Sequence, residues 1–594
     1  MRAVRDLSLA APLALTALAV FFGGGPGDGS VVWLGAGALG SILLLLAVRG
    51  VPGGLASVAP LFLLAAWSGL TIAWSWLPDR SWDYANRALL YALFATLGLW
   101  FAGRARLLAQ GLAAIVFAVT AWSLLGKVLP PVYDYGSLDV TARLRGPIGL
   151  WNQLALMADF GLVLAVWLRG RLGTILAFVS AVALLLTLSR GGLLTAAVVL
   201  AVWLLVSDER VAGGVVLVAA GLPAAAAGGI AFALPGITSD GEPLSTRWRD
   251  GLILGGLLLV GAAGALLLER VLPRPADTPR LRWAVGGIVA AAVVAALVVL
   301  VVHGFDSGAV GNTQERLTST SSNLRFTWWH QAWRGFLLHP FVGIGAGSFE
   351  LLNKLYRSIY LDTSTEPHDL PLQFLAETGI VGLALLVVAA GALLRGSLHR
   401  QGPELALALL LPAYLVHSLV DIDWDFVAVS APAFLAAGAL VGRPAERRVG
   451  AFALLAASGC TLLVFATFLL PWLGGRWADQ GLVASPARAV TLANRARSVD
   501  PLLVEPFWDR AFAADLLGQK QKAFDLFVAA VRRQPHNPLT WQAAGQYAYA
   551  QRCWYQAWFY LEHYTELDPN AASSSGADQY RDALRRVNKH AYRC

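Results

Sequence analysis

The sequence predicts an all-α protein, a polytopic membrane helical bundle of about 12–15 spans followed by a C-terminal extracytoplasmic helical domain. Three observations predict this fold class. Hydrophobic residues make up 57% of the 594 residues and charged residues only 14%, with a mean hydropathy of +0.60. Apolar runs near twenty residues recur along residues 1–473, as is typical of membrane helices. From about residue 480 the chain becomes polar but keeps a helical pattern.

The first apolar run follows MRAVRD without a clear small-residue cleavage site, so we interpret it as a retained membrane helix. Apolar runs between polar breaks predict about fifteen spans, which form a membrane domain over residues 1–473. These spans are 7–22, 31–48, 57–76, 86–102, 107–127, 150–168, 172–188, 192–206, 211–234, 252–268, 282–302, 371–394, 403–420, 427–442 and 450–473.

Alternate loops carry most of the arginines, for example Arg49 and Arg104. The positive-inside rule therefore predicts a cytoplasmic N-terminus in the cytoplasmic (inner or plasma) membrane. It places the 128–149 loop, the large loop 303–370 and everything after 473 on the outer side. The same topology explains the net charge of +8 without a nucleic-acid partner.

The polar tail, residues 480–594, shows an internal period. Proline-containing breaks at Pro501, Pro535 and Pro569 are each 34 residues apart, and Trp508 and Trp541 have nearly the same phase. This is the period of a tetratricopeptide repeat, a helix–turn–helix unit. A generic helical bundle is the alternative. Both interpretations predict a protein-binding or spacer module.

Three cysteines, Cys460, Cys553 and Cys594, offer no metal-binding spacing. Cys553 and Cys594 would be able to pair if their domain is extracytoplasmic.

Arginines are prominent on the predicted outer side. Arg143 and Arg145 precede the helix entrance at Asn152, Arg190 lies in the tight turn LSRGG, and Arg325 begins the segment RFTWWHQAWRG. Guanidinium groups at an outer membrane surface suit a phosphate-bearing lipid, because they bind phosphate oxygens bidentately and keep their charge.

The long loop adds an interfacial pattern. Trp328, Trp329 and Trp333 fit a helix lying at headgroup depth, and Gly343, Gly345 and Gly347 form a glycine-rich turn. For Arg143 and Arg334, snorkelling or solvation is the favoured interpretation. A functional role is favoured for Arg190, since a lone arginine between two spans has few structural reasons to be there.

A histidine and a glutamate stand at the start of the predicted span 371–394. Pro371 predicts a helix start near Asp369 or Leu370, which places His368 at the positive end of the helix and favours a neutral imidazole. Glu377 then lies about 10 Å deeper on the same helix, at 1.5 Å per residue. His330 and His339 in the same loop are competing candidates.

Acidic residues also follow His417, in the stretch HSLVDIDWDF. Asp421, Asp423 and Asp425 are able in principle to bind a divalent metal. Carboxylates that alternate with hydrophobic residues on an outer loop are more commonly solvated, and this second interpretation is favoured, with no metal or cofactor required.

Together these motifs resemble the O-antigen ligase and O-antigen polymerase superfamily, the Wzy-type membrane glycosyltransferases. PHDLPLQFLAETG resembles its His-(Asn/Ser/Gln)-x7-Glu motif, with His368 and Glu377 on the histidine and the glutamate. LSRGG resembles its external arginine turn, and the segment from LRFTWW to HPFVGIGAG resembles its arginine–aromatic helix and following turn. RGPIGLWNQLA is similar to its G-x-x-x-N-x-x-A stretch. The matches cover roughly residues 140–425.

The resemblance implies a GT-C-like, inverting glycosyltransferase that takes glycan from an undecaprenyl-diphosphate carrier and joins it to an acceptor hydroxyl. Arg190 and Arg325, with Arg145, would bind the diphosphate. His368 would act as general base on the acceptor or orient it, supported by Glu377. The partners implied are the carrier-linked donor, a glycan, lipid or protein acceptor, and the bilayer, with a possible protein partner for the repeats.

The chain departs from the family pattern in three places. Asp369 stands where a neutral polar residue is usual, an extra pair of spans around the loop GEPLSTRWRDG separates Arg190 from Arg325, and the last span and repeats are added. The acceptor therefore stays open, with ligase, polymerase and protein O-oligosaccharyltransferase as alternatives. A transporter of lipid-linked oligosaccharide is the alternative from another class. It is disfavoured because the polar groups gather on one face, with Asp159 as an exception.

Overall fold

Apolar helices dominate the computed structural model, which is 79% helical. It describes residues 7–25, 27–132, 142–274, 314–317, 319, 321–360, 362–571 and 575–587, with residues 276, 278, 283, 284, 286, 287 and 291. Eight helices in this part of the chain are long and apolar enough to cross a membrane, and five shorter apolar helices accompany them. The predicted fold class, an all-α polytopic membrane protein, is confirmed.

The helices of the N-terminal half alternate with short turns. They are α1 (Ala10–Leu18), α2 (Asp28–Arg49), α3 (Leu55–Leu70), α4 (Pro78–Gly98), α5 (Ala105–Val128), α6 (Trp151–Leu168), α7 (Gly170–Leu186), α8 (Arg190–Val206), α9 (Arg210–Phe232), α10 (Pro235–Thr238) and α11 (Leu244–Val271).

The C-terminal half has the remaining helices of the described chain. They are α12 (Arg325–Leu338), α13 (Phe349–Tyr356), α14 (Leu370–Leu394), α15 (Gly402–Ala408), α16 (Leu410–His417), α17 (Val427–Val441), α18 (Ala451–Leu482), α19 (Pro486–Val499), α20 (Glu505–Leu516), α21 (Lys520–Arg533), α22 (Pro538–Ala550), α23 (Trp554–Leu567) and α24 (Ser575–Val587). Two short strands, β1 (Val51–Gly53) and β2 (Arg443–Arg447), pair antiparallel.

Two predictions about the spans differ from the structure. The predicted span 86–102 is part of α4, which begins at Pro78 with the charged sequence DRSWDYANR and is not apolar enough to be a candidate span. The stretch LSTRWRDG, predicted as loop, forms the first two turns of α11. Most of the predicted span 282–302, and Cys594, lie outside the described residues, so these predictions stay untested.

The chain divides into two compact units. The first unit comprises residues 1–59, 90–326 and 389–457, and the second comprises 60–89, 327–388 and 458–594.

In the first unit α6 and α17 form the centre, since nearly every residue of both helices is buried. Helices α4 and α17 approach closely at Gly98 and Gly438. A Cβ on Gly438 would lie 1.9 Å from the Ala95 carbonyl oxygen, and one on Gly98 would lie 2.2 Å from that of Leu435. Only glycine permits this backbone contact.

In the second unit the C-terminal helices repeat with the predicted period. Helices α19, α21 and α23 begin at Pro486, Lys520 and Trp554, which are 34 residues apart. Buried Phe527 and Ala544 join successive helices in one core, with Trp508 and Trp541 packed against it. The assignment to the tetratricopeptide family stays a prediction.

The repeats pack on the rest of the second unit. The Arg357 guanidinium, just after α13, donates to both carboxylate oxygens of the buried Asp568. Gln534 Nε2 donates to Asp79 Oδ1 at 2.8 Å, and the Trp76 ring stacks on His536 at 4.6 Å. These contacts join the repeats to the start of α4 and to the residue that follows α13.

The cysteines differ in state. Cys553 is disulfide-bonded, and Cys460 is free and exposed on α18.

Candidate functional site

The LSRGG turn positions Arg190 as the first residue of α8. Ser189 caps the helix, its hydroxyl accepting from the Gly192 N–H at 3.2 Å, and Leu188 before it has φ +52°. A left-handed conformation is unusual for a bulky residue and costs of order 1 kcal/mol or more. The half-buried Arg190 guanidinium donates to the carbonyl oxygens of Ser319 and Ser321.

Arg325 begins α12 after a similarly strained turn, since Asn323 and Leu324 have φ +54° and +66°. Its Nε donates to the Val420 carbonyl oxygen at 2.7 Å, and its Nη2 lies 3.1 Å from Asp421 Oδ2. The side chain is 15% exposed. The turns before Arg190 and Arg325 thus both contain non-glycine residues in the left-handed region.

Arg143 is buried, so its predicted snorkelling or solvated position is wrong. It is 1% exposed, donates through Nε to the Thr187 carbonyl oxygen at 2.9 Å, and lies over the Trp151 ring at 4.1 Å. Its Nη2 also reaches Asn152 Oδ1 at 3.3 Å. Arg334 is exposed, as predicted, and lies over the ring of Tyr356.

Arg316 is a fourth arginine that the sequence analysis missed. It is 6% exposed and interacts electrostatically with Arg190, Arg325 and Asp421. Arg143 interacts electrostatically with these three groups and with Arg316. We call Arg143, Arg190, Arg316 and Arg325 the arginine centre. Arg316 lies in the polar stretch QERLTST, where no pattern marks it.

Arg143, Arg316 and Arg325 interact with the carboxylate of Asp421, and Arg190 interacts with the other three arginines. Burial, and next the charge of Arg316, lowers the pKa of Arg143 to about 8. Burial, and next the charge of Arg190, lowers the pKa of Arg316 to about 10. Their lowered pKa values indicate that desolvation and mutual repulsion disfavour the charged forms, and a bound anion would relieve this repulsion.

The acidic stretch after α16 is buried, which corrects its prediction as a solvated loop. Asp421 is 2% exposed and accepts from Asn152 and Gln153 as well as Arg325. The completely buried Asp423 lies 2.7 Å from His417 Nδ1. Their oxygens are thus engaged by protein donors. No cluster of metal-binding side chains occurs in the described part of the chain.

Arg145 is half-buried, and its charge acts on Lys127. The electrostatic interactions within the arginine centre involve Arg143 instead, two residues earlier. A role of Arg145 in binding diphosphate stays a prediction.

In the second unit His368 ends the loop that precedes α14. Its ring stacks on Trp328 with centroids 4.8 Å apart, and Trp328 Nε1 donates to Asp362 Oδ1 at 2.8 Å. His368 itself has φ +57°. The half-buried imidazole is therefore positioned by the Trp328 indole, which the hydrogen bond to Asp362 fixes. The backbone conformation of His368 is itself disfavoured.

Asp369 caps α14, because its Oδ1 accepts from the Leu372 N–H at 2.8 Å. Asparagine and serine, two of the three residues that the resembled motif has at this position, are equally good N-caps. The departure at this position thus keeps the cap and changes the charge next to His368. Burial raises the pKa of the Asp369 carboxyl to about 6.

The raised pKa of Asp369 predicts a specific pH dependence. Since the folded pKa exceeds the unfolded value near 4, the stabilising contribution is present at pH 4 and is lost as pH rises through 6. We expect Asp369→Asn to keep the cap and to gain thermal stability relative to wild type between pH 4 and 7, measured as the unfolding midpoint in detergent.

Asp369→Ala serves as the control, because it loses the cap and should be about 1 kcal/mol less stable than the asparagine variant at every pH. Parallel pH curves for wild type and Asp369→Asn would contradict the prediction.

Glu377 holds the glycine-rich turn. Its Oε2 accepts from the Gly347 N–H at 2.8 Å and its Oε1 from the Phe349 N–H at 3.0 Å. Gly343 (φ +69°) packs so closely that a Cβ there would lie 2.2 Å from the Glu377 carbonyl carbon. These contacts support a positioning role, and a direct catalytic role stays a prediction.

The helix that carries Glu377 is interrupted, which the continuous apolar run did not reveal. Gly379 has φ +68° and ψ −171° inside α14. The following 380–397 segment is about 27 Å long at 1.5 Å per residue, near the thickness of a hydrocarbon core. Glu377 therefore lies in the helical turns that precede this break.

Glu366 and Tyr84 are further polar residues that sequence reasoning missed. Glu366, two residues before His368, is 5% exposed and accepts from the Tyr84 hydroxyl at 2.8 Å. Arg80 lies 3.7 Å from the same carboxylate oxygen. Only the fold brings α4 to this loop, so neither residue had a sequence signal.

Comparison with known proteins identifies one segment. Residues 246–387 match the family described as O-Antigen ligase, Wzy_C. The match contains Arg316, Arg325, His368 and Glu377, and it ends before Asp421. Curated proteins gave no match.

Proposed function

We propose that this protein belongs to the O-antigen ligase superfamily, whose family model matches residues 246–387. We further propose that it is an inverting glycosyltransferase that moves a glycan from undecaprenyl diphosphate to an acceptor hydroxyl. The acceptor oxygen forms a bond to the anomeric carbon as the bond from that carbon to the diphosphate oxygen breaks. The hydroxyl proton passes to His368, and the electron pair leaves with the diphosphate.

The arginine centre carries the proposal. Arg143, Arg190, Arg316 and Arg325 repel one another, and a diphosphate of two or more negative charges would stabilise them together. Arg190 and Arg325 are the most accessible of the four, and they would contact the departing oxygens. Fixed, partly dehydrated cations stabilise developing negative charge without reorganisation.

Asp421 would orient rather than react. It accepts from Arg325 and from the two amides of Asn152 and Gln153, which fixes the direction in which the Arg325 fork points. A carboxylate in this position also lowers the repulsion among the arginines before the donor binds.

His368 is the proposed base, or the group that orients the acceptor. Its support comes from the stacking contact with Trp328, the strained backbone and the family match. Trp328 follows Arg325 by three residues in the sequence. A positioned imidazole contributes about 10²–10⁴-fold to proton transfer.

The reaction would take place on the outer face of the cytoplasmic membrane, with the repeats exported. The arginine pattern of the loops supports this orientation. The disulfide at Cys553 also supports an oxidising compartment for the C-terminal helices.

Reconstitution tests the function directly. The purified protein is placed in proteoliposomes with undecaprenyl-diphosphate-linked glycan and one acceptor at a time. It should produce glycosylated acceptor and undecaprenyl diphosphate, and both products are measured by mass spectrometry. The acceptor that is glycosylated identifies the activity. A lipid glycan indicates a ligase, a second carrier-linked glycan indicates a polymerase, and a protein with exposed hydroxyls indicates protein glycosylation. Movement of the donor across the vesicle without any transfer would overturn the proposal and favour a transporter.

A further inference from the structure

A cavity beside the end of the last membrane helix has the features of a second anion site. Its volume is about 520 Å³, and it lies between the end of α18 and α19. Its polar and aromatic lining comes from Trp477 and Gln480 on α18, Ser485 in the turn, and Arg488, Thr491 and Arg495 on α19.

Two arginines line this one cavity. Arg488 and Arg495 lie seven residues apart, two turns along one face of α19, with Thr491 between them. Both are exposed, and neither guanidinium group has a hydrogen-bond or ion-pair partner in the described part of the chain. The lining includes no carboxylate, although exposed Asp479 lies next to Gln480 in the sequence.

The position of the cavity relative to a bilayer follows from α18. This helix is a candidate membrane span, and only 6% of its apolar window is buried. Trp477 comes four residues, about 6 Å, after the predicted apolar end at 473. The headgroup layer adds roughly 5–8 Å to each side of the hydrocarbon core, so Trp477 lies at headgroup height.

Helix α19 runs back along α18 and brings Arg495 to the same height. A Cβ on Gly474 would lie 2.7 Å from the Asp500 Cβ and 3.6 Å from the Ala496 carbonyl oxygen. The C-terminal end of α19 is therefore the end nearer the bilayer. Arg476, over the Trp472 ring at 5.2 Å, adds an arginine–tryptophan pair of the kind found at membrane interfaces.

We propose that this cavity binds the phosphate of a lipid headgroup, with Arg488 and Arg495 on the phosphate oxygens. The guanidinium fork matches phosphate geometry. The Thr491 and Ser485 hydroxyls and the Gln480 amide supply further donors, while the Trp477 indole covers the apolar side of the headgroup. An anionic phospholipid and a polyprenyl phosphate share this chemistry, and either one would fix the repeats at the bilayer surface.

The test measures lipid retention instead of glycan transfer, so its outcome is separate from that of the proposed function. Full-length protein in detergent is titrated with phosphatidylglycerol, undecaprenyl phosphate or phosphate-free diacylglycerol, and bound lipid is counted by native mass spectrometry. All variants are made in an Arg325→Gln background, which weakens phosphate binding at the arginine centre.

We expect Arg488→Gln with Arg495→Gln to weaken retention of phosphate lipid about 25-fold, since each arginine near a membrane surface contributes about five-fold. Thr491→Trp, which fills the cavity and keeps both charges, should weaken it about ten-fold. Arg532→Gln, an exposed arginine on α21, should leave it within about two-fold.

The source of the bound phosphate is either a membrane phospholipid or the polyprenyl carrier. It is identified by which of the two lipids loses more retention when the cavity is changed. Equal retention by the double variant and the Arg532→Gln control would overturn the proposal. Cavity-dependent retention of diacylglycerol to the same extent would also overturn it, because that lipid has no phosphate.

Discussion

His368→Gly should reduce glycan transfer by about 10²–10⁴-fold while leaving the chain within about 1 kcal/mol of wild-type stability. Glycine adopts φ +57° freely, and the relief of strain offsets part of the lost stacking on Trp328 and the greater entropy of the unfolded chain. The variant therefore removes the imidazole without distorting the loop. Transfer is measured in proteoliposomes, and stability by thermal unfolding of the same preparation.

A second substitution separates proton removal from positioning. Asparagine tolerates the left-handed conformation and is able to hydrogen-bond a hydroxyl, but it does not accept a proton near neutral pH. If His368 is the base, His368→Asn should be as inactive as His368→Gly. Activity above about a tenth of wild type in the asparagine variant would show that the imidazole only positions the acceptor.

His330→Ala is the matched control, since His330 is exposed on α12 and competed with His368 as a candidate in the sequence. It should keep transfer within about two-fold of wild type. Wild-type transfer by His368→Gly would remove the histidine from the mechanism, because that variant keeps the backbone conformation of the loop.

The fold class was predictable because its signal is local. Apolar runs of membrane length and a 34-residue period are read directly from the chain. Helix α4 shows where such local signals fail. Its apolar second half predicted a separate span, but in the structure it continues directly from charged first turns. The break at Gly379 was equally invisible, because a glycine inside an apolar run carries no sign of its φ angle.

The site was predictable only where an arginine or a histidine stood in an unusual local setting. Arg190 in a tight turn and Arg325 before an aromatic helix had such settings. Arg143 and Arg316 did not, because hydropathy does not tell whether a long side chain turns outward to water or inward to a partner. Asp421 is defined by its contacts with Asn152 and Arg325, which are distant in sequence.

Arg325→Gln should reduce transfer by about 10²–10³-fold, the range for removing one donor to a developing negative charge. The side chain keeps a hydrogen-bonding head, so the loss reflects the missing charge and fork. Arg325→Lys should restore little, because one ammonium group does not reproduce the contacts to both the Val420 carbonyl oxygen and the Asp421 carboxylate.

Inhibition by inorganic diphosphate is a second measurement, and it should not change if Arg325 has only a structural role. If the arginine centre binds diphosphate as proposed, inorganic diphosphate should compete with the donor in the wild-type protein. The inhibition should weaken at least ten-fold in Arg325→Gln. Arg190→Gln should behave in the same direction, because its guanidinium lies on the other strained turn of the centre.

Arg334→Gln supplies the control, because Arg334 is exposed on the same helix as Arg325 and lies over the Tyr356 ring. Transfer and inhibition should both stay within about two-fold of wild type in this variant. The role of the arginine centre is refuted if Arg325→Gln matches this control in both measurements. A loss of transfer with unchanged inhibition would instead assign Arg325 to holding the loop, since diphosphate would still find its site.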